Sequence, residues 1–384
     1  MARSRSRTAG GLRKSASAQE DAMSSSVLVI GNFLSSSVGT RGVCEDLSVR
    51  LRELGWSVLT ASSRRHRLAR LWDMVATTWR LRRRYHVAQV DVFSGPAFLW
   101  AEAVCFTLRR AGKPYVLTLH GGSLPDYAER WPGRVRRLLS SAAAVTVPSP
   151  YLFHRMCAHR ENLYLLPNPL DVGAFQFRLR KDARPRLIWV RAFHHLYNPA
   201  MASRVVAALA REFTEIRLTM IGPDKGDGSL QATQELARKL GVAGNIEWPG
   251  AVPNADIPKW LDQHDIFLNT TNADNTPVSV LEAMASGLCI VSTNVGGIPY
   301  LLDSEGEALL TPADDPAAMA ATVRRILSEP PLAERLSHHA RQKAERFDWA
   351  AILPQWDTVL RSAAERRKPP HDALQASREL GDPQ

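Results

Sequence analysis

No run of about 18 apolar residues occurs anywhere in the 384-residue sequence, so no helix in it is expected to span a membrane. Cysteine is scarce. Cys44, Cys105, Cys157 and Cys289 stand far apart, with neither the C-x-x-C spacing of a zinc or redox site nor the density of a disulfide scaffold. Each lies in an apolar or helical stretch and reads as a small core residue of a reducing compartment. The dinucleotide fingerprint G-x-G-x-x-G is missing, which argues against a nicotinamide oxidoreductase. No repeat with a period of about 20–50 residues is visible, and no D-x-D pair ends a strand in a metal-binding context. Negative charge is also short: 38 Asp and Glu stand against 49 Lys and Arg, for a formal net charge of +11.

What is present describes an ordinary globular chain, 45% hydrophobic and 23% charged, with length enough for two domains. The positive excess gathers in two places. The start, MARSRSRTAGGLRKSASAQEDAMSSS, is basic and rich in Ser and Ala without an apolar core, so a secretory leader of the usual kind is not expected. Its Arg-rich character is that of a transit peptide or, more blandly, of a disordered tail over 1–25. Residues 63–86 read as a helix in which Leu68, Leu71, Trp72, Val75, Trp79 and Leu81 are apolar and eight arginines crowd the ends. Basic residues beside tryptophans suit an anionic membrane surface or an acidic lipid-linked substrate. An amphipathic helix packed on a sheet is the plainer alternative. Nucleic acid is disfavoured, because no reader motif accompanies the charge. Residues 366–384 are expected to be unstructured.

Between these ends, strands and helices alternate. SVLVIGNF is a buried strand that runs into the glycine-containing loop LSSSVGTRG, and a helix from about Val43 stops at Gly55. WSVLTAS, VAQVDVFSG, PYVLTLHGG and AAAVTVPS continue the strands. LYLLPNPLDVGAF then reads as a linker, with two prolines and polar turn residues. The alternation restarts with RLIWVRAF, IRLTMIGP, NIEWPGAV and DIFLNTT. Such a pattern predicts two parallel sheets covered by helices on both faces, with ligands at the carboxyl ends of the strands. The expected domains are 26–170 and 171–348. An amphipathic helix over about 349–365, carrying Trp349, Ile352, Leu353, Trp356, Val359 and Leu360, is suited to docking.

The run NADNTPVSVLEAMASGLCIVSTNVGGIP carries the most chemistry. It predicts a loop, a short helix and a buried strand over 289–293. Thr276 suits the N-cap, Pro277 the first helical position and Gly287 the left-handed stop. A helix start of this kind offers free backbone N–H groups and a positive dipole end to a phosphate, here through Val278 and Ser279. Asp274 and Glu282 would repel that phosphate, but they can accept hydrogen bonds from sugar or ribose hydroxyls. Anion donors beside hydroxyl acceptors point to a sugar nucleotide.

On these residues the chain resembles the retaining glycosyltransferases of family 4, which have the GT-B fold. Their signature is an acidic residue, seven others, Glu within LEAMA, then G-x-x-[IV]-V-[SA]-[ST] and a GG turn. Glu282 matches the second acidic position, and Asp274 stands where most members carry Glu. The resemblance covers roughly residues 27 to 360, and 265 to 302 is its most specific segment. It implies two Rossmann-like, doubly wound domains facing a central cleft, with a C-terminal helix crossing back to the first. It assigns Asp274 to the transferred sugar and Glu282 to the ribose, and Arg191 in WVRAFHHLYNP to the diphosphate. The Lys that follows this Arg in the family is missing. His195 falls in the same segment as a protonated cation, a neutral donor or a supporting residue. His120 in VLTLHGG matches a family His at the donor sugar, and Gly39 is a candidate for donor contact in the first loop.

The activity implied is metal-independent transfer of a sugar from a nucleotide-sugar donor to an acceptor hydroxyl with retention of configuration, and no cofactor is expected. The acceptor is expected to be a glycan or a lipid-linked compound, and the place the cytoplasm, free or at the inner face of the membrane. Two rivals are a catalytically silent protein that binds sugar nucleotide or membrane on the same scaffold, and a sugar-nucleotide epimerase of the same shape. The LEAMA signature speaks against the epimerase.

Overall fold

The computed structural model describes residues 25–33, 43–64, 66–121, 123–367 and 369. The tail before residue 25, the loop containing Gly39 and the stretch after 369 lie outside them. Two parallel six-stranded sheets form the frame. The first contains β1 (Ser26–Ile30), β2 (Ser57–Ala61), β3 (Val87–Val92), β4 (Tyr115–Leu119), β5 (Ala144–Val147) and β6 (Leu163–Leu165), in the order β2-β1-β3-β4-β5-β6. The second contains β7 (Arg186–Val190), β8 (Arg217–Ile221), β9 (Ile246–Gly250), β10 (Ile266–Asn269), β11 (Cys289–Thr293) and β12 (Ala308–Thr311), in the order β12-β11-β10-β7-β8-β9. Central strands such as β1 and β11 are buried along their whole length, which is why they read as continuous apolar runs rather than as alternation. Pro249 is tolerated because β9 ends its sheet and needs no ladder hydrogen bond on one side.

In each sheet the chain order reverses once, between β1 and β3 and between β7 and β10. A crevice opens at the carboxyl ends of strands at such a point. The two crevices are brought face to face by the way the chain passes between the domains. LYL, expected to begin the linker, instead forms β6 and completes the first sheet. The chain then crosses at residues 166–175 and returns at 347–349. The two crossings bind each other: Leu170 N donates to Phe347 O at 2.8 Å, and Trp349 N donates to Leu170 O at 3.2 Å. Asp348 caps the last helix through Ala350 N at 2.7 Å and also accepts from Val172 N at 3.0 Å.

That last helix, Trp349–Ala364, lies on the first domain. It buries Trp349, Ile352, Trp356, Val359, Leu360 and Ala363 against Val27, Val29, Trp56 and Val116. Trp56 Nε1 donates to Asp357 at 2.7 Å. Only Leu353 of the expected stripe stays half-buried.

The basic segment forms the helix Arg67–Arg80. Its inner face is Arg70, Met74, Thr77 and Thr78, while Leu68 and Trp72 are 71% and 74% exposed and Trp79 is exposed too. The helix therefore packs on the sheet and still presents tryptophans to solvent. No helix among the described residues is long and apolar enough to cross a membrane.

Gly287 ends the signature helix with φ +72°, and a Cβ there would meet Phe177 at 2.6 Å and Arg178 O at 2.9 Å. Gly287→Ala therefore combines left-handed strain with a backbone clash. It is expected to lower the unfolding free energy by at least about 2 kcal/mol, read from urea denaturation. An unchanged midpoint would show that the helix end can relax.

Candidate active site

The site is built around Arg191, the first residue beyond β7, where an apolar strand ends and the side chain can enter the crevice between β7 and β10. The following loop is tied across that crevice. Thr270 Oγ1 donates to Tyr197 O at 2.8 Å, and Asn272 N donates to Leu196 O at 2.8 Å. Tyr197 is thereby laid against Arg191, whose guanidinium carbon sits 4.4 Å from the ring centroid. Arg191 also pairs with Asp274 through one terminal nitrogen. Its Nε is buried and has no hydrogen-bond partner among the described residues. Burial draws the guanidinium pKa down, against the opposing pull of Tyr197 and Glu282.

Asp274 is held in place by its own backbone. The GG turn closes over the signature loop, and Gly297 N donates to Asp274 O at 2.9 Å. A Cβ on Gly296 would collide with that same carbonyl, so the turn requires a residue without a side chain.

The signature helix, Val278–Ala285, starts one residue later than expected. Pro277 occupies the N-cap with φ −69° and ψ 123°, and no side chain caps the helix. Thr276 is not the cap, because the extended Pro277 already turns the chain into the helix. Among the described residues nothing caps the first N–H groups, those of Val278 and Ser279, which suits them to an anion. Val278 is 44% exposed and Ser279 is buried.

One turn on, Glu282 lines an interdomain cavity of about 680 Å³ together with Val278, Asn254, Arg50, Asp171 and Trp349. Burial raises its pKa to about 7, with Arg191 pulling the other way. Across the cleft the domains also touch. Ser149 donates to the Asn275 side chain, and Tyr151 and His154 lie 5.9 Å and 5.7 Å from the Tyr300 ring.

Arg191, Asp274 and Glu282 thus come together beside the uncapped helix start. His195 does not join them. Its ring is 78% exposed and turns to Asp227, with Nδ1 at 3.1 Å and the backbone N–H donating at 2.8 Å. The His195-for-Lys idea has no support here, because the loop points this side chain outward. His194, His195 and Asp227 lie within metal-ligating distance of one another. However, His194 Nδ1 accepts from Leu196 N at 3.2 Å. Its proton therefore sits on Nε2, the nitrogen nearer Asp227, and that atom has no lone pair for a cation. Gly39 lies outside the described residues.

His120 stands on the first domain, beyond β4. Its Nε2 lies 3.0 Å from Asp91 Oδ1, and its ring stacks on Phe93 at 5.0 Å. Asp91 and Tyr197 were missed at the level of sequence. An acid inside the apolar strand VAQVDVFSG was the available signal for Asp91, since a buried carboxylate needs a partner. Nothing in the sequence foretold the placement of Tyr197.

Comparison with known proteins identifies the family and the fold. The profile of the family described as Glycosyl transferases group 1 matches residues 174–343, and that of Glycosyltransferase Family 4 matches 40–174. A D-inositol 3-phosphate glycosyltransferase of Segniliparus rotundus is 24% identical over 266 residues, 65% of this chain and 59% of the relative. A subunit of phosphatidylinositol N-acetylglucosaminyltransferase from Arabidopsis thaliana is 25% identical over 200 residues, 51% of this chain and 43% of the relative. The match thus spans less than two thirds of either relative. Sucrose-phosphate synthase from Thermosynechococcus elongatus superposes with a TM-score of 0.71 at 17% identity, over 88% of this chain and 98% of that one. Anabaena HepE in complex with UDP does so with a TM-score of 0.70 at 14% identity, over 88% and 100%. The chain belongs to the family 4 glycosyltransferases of GT-B fold.

The pKa of Glu282 has a consequence for stability. Its folded value, about 7, lies above the ordinary 4.5. Between those values the folded chain keeps a proton that the unfolded chain has lost, so this group removes stability as pH rises. Glu282→Gln abolishes that loss. The variant is expected to match the wild type near pH 4.5 and to exceed it at pH 8, by no more than about 3 kcal/mol, in denaturant unfolding at each pH. Parallel pH profiles would mean that the folded chain does not desolvate the carboxyl.

Proposed function

We propose that the chain is a retaining, metal-independent glycosyltransferase that moves a sugar from a nucleoside-diphosphate donor to an acceptor hydroxyl. The observation that carries this reading is the buried Nε of Arg191, without a partner among the described residues, beside the uncapped start of the signature helix. A buried donor without an acceptor is rare, and a diphosphate oxygen supplies one. In this reading the amides of Val278 and Ser279 take the distal phosphate, and Glu282 takes the ribose hydroxyls. Asp274 exchanges its pairing with Arg191 for hydroxyls of the transferred sugar, while His120 faces that sugar from the first domain.

As the bond from the anomeric carbon to the diphosphate breaks, its electron pair passes to the phosphate oxygen. Arg191 and the helix amides stabilise that developing charge. The acceptor oxygen attacks the same face of the sugar and passes its proton to the departing phosphate, so configuration is kept. Apposition of the two domains excludes water and limits hydrolysis of the donor.

The UDP held by HepE and the inositol compounds in the names of the relatives set the first donors and acceptors to try, beside lipid-linked glycans. Release of nucleoside diphosphate should appear with one donor and acceptor pair. Arg191→Ala and Glu282→Ala should each lower kcat/KM at least about 100-fold in proteins that still fold. Wild-type rates in both variants would remove the assignment. Tight donor binding without turnover would favour the silent binding protein instead.

We further infer that the helix Arg67–Arg80 meets an anionic membrane surface at the inner face, placing a lipid-linked acceptor near the cleft. The exposed Leu68, Trp72 and Trp79 would enter the headgroup region. The arginines at 80, 82, 83 and 84 would supply about 1 kcal/mol each. Wild-type protein should sediment with phosphatidylserine vesicles at low salt, and replacing those four arginines by Gln should reduce this at least about 10-fold. Absence of sedimentation by the wild type would end the membrane reading.

A further inference from the structure

A buried polar chain runs through the first domain to His120. Thr146 Oγ1 on β5 lies 3.1 Å from Thr118 Oγ1 on β4. Gln89 on β3 sends its side-chain N–H groups to Thr118 Oγ1 and to Asp91 Oδ1, both at 2.8 Å. Asp91 Oδ1 is in turn 3.0 Å from His120 Nε2. Gln89, Thr118 and Thr146 are buried, and the Asp91 side chain is only 8% exposed.

Gln89 and His120 reach the same oxygen of Asp91. Both Gln89 N–H bonds point to acceptors, and Oε1 is left buried without a partner among the described residues. Asp91 Oδ1 faces two nitrogens, Gln89 Nε2 and His120 Nε2, and accepts from both, and its other oxygen is confined as well. A Cβ on Gly31 would lie 2.5 Å from Asp91 Oδ2 and 2.8 Å from Cys44 Sγ, so this glycine makes room for the carboxylate and thiol together. Burial first, and then the nearby Asp91, push the Cys44 thiol pKa up.

A carboxylate accepts and does not donate, so the shared hydrogen belongs to His120 Nε2, and in the neutral imidazole Nδ1 keeps its lone pair. Phe93 stacks on the ring with 20° between planes. Asp91 thus sets the ring's rotation and Phe93 its plane. The hydrogen bond to Asp91 uses Nε2 and leaves Nδ1 on the other side of the ring. On the Asp91 side of this pair, at the crevice between β1 and β3, a mostly apolar cavity of about 30 Å³ is lined by Asn32, Asp91, Phe93, Met74 and Trp100 and does not include His120. It has room for one hydroxyl-sized group.

We propose that Asp91 is the positioning residue of His120, holding the imidazole as the Nε2–H tautomer so that Nδ1 accepts a hydrogen bond from a hydroxyl of the bound carbohydrate. The identity of that hydroxyl rests on the glycosyltransferase reading; the tautomer does not. The test uses the full chain with ¹⁵N-labelled histidine, the His120 signals being assigned with His120→Gln. The wild type should show a protonated Nε2 and a bare Nδ1, whereas Asp91→Asn, whose amide can donate, should shift the proton toward Nδ1. In transfer assays Asp91→Asn should lower kcat about 10–100-fold with donor KM within about twofold, and Asp91→Glu should recover part of the loss. In a double-mutant cycle, Asp91→Asn added to His120→Gln should cost less than about threefold.

A protonated Nδ1 in the wild type overturns the proposal, even if Asp91→Asn does not fold. Additive losses in the cycle overturn it too, since they would mean that Asp91 acts on stability alone. If the wild type transfers no sugar at all, that failure belongs to the glycosyltransferase reading, and the imidazole shifts still decide the role of Asp91.

Discussion

A guanidinium buried at the end of a strand needs negative charge near it, and much of the second domain is arranged around this need at Arg191. The side chain is 20% exposed, and its charge is balanced by Asp274, by the more distant Glu282 and by the face of Tyr197. Each partner arrives on a different element: one on the signature loop, one on its helix, one on the loop that follows β7. The glycine pair over Asp274, the hydrogen bond from Thr270 to Tyr197 O and the single crevice between β7 and β10 are what allow the three to converge. Even so, the compensation is incomplete, because Nε is left over. A site that holds its cation with one donor unspent is prepared for an anion.

The two carboxylates in this arrangement differ in environment. Asp274 has a cation directly on it, whereas Glu282 is mainly desolvated and carries a pKa near 7. Environments that differ this much set different tasks for chemically similar groups. Asp274 is held as the partner of a cation, whereas Glu282 has lost water without gaining a direct ionic partner.

Much of this was legible in the sequence, and the reasons are local. The strand at 289–293, the stop at Gly287 and the position of Arg191 follow from apolar runs, from a left-handed turn and from the end of a strand. The apolar stripe of residues 349–364 was visible as a docking face, and the family resemblance supplied the domain on which it docks. What could not be read depended on rotation and on distant partners. His195 is a neighbour of the site in sequence, but the turn sends its ring to Asp227, 32 residues further on. The tryptophans of the basic helix counted as apolar, yet Met74, Thr77 and Thr78 form the inner face because the helix is rotated by its contacts. Pro277 took the cap from Thr276 through its own backbone geometry. The pairing of Asp91 with His120 spans adjacent strands, and only the sheet register brings it about.

The return of the final helix to the first domain has a bearing on how the protein is made. Val27, Val29 and Trp56 are translated long before the residues that cover them, from Trp349 to Ala363. Until then a sheet face rich in aromatic and branched side chains has no lid, while the second domain, whose strands are contiguous in sequence, can already be complete. The later half of the chain can thus be complete before the earlier half. An apolar sheet face left open in this way is a surface on which a growing polypeptide can misassociate.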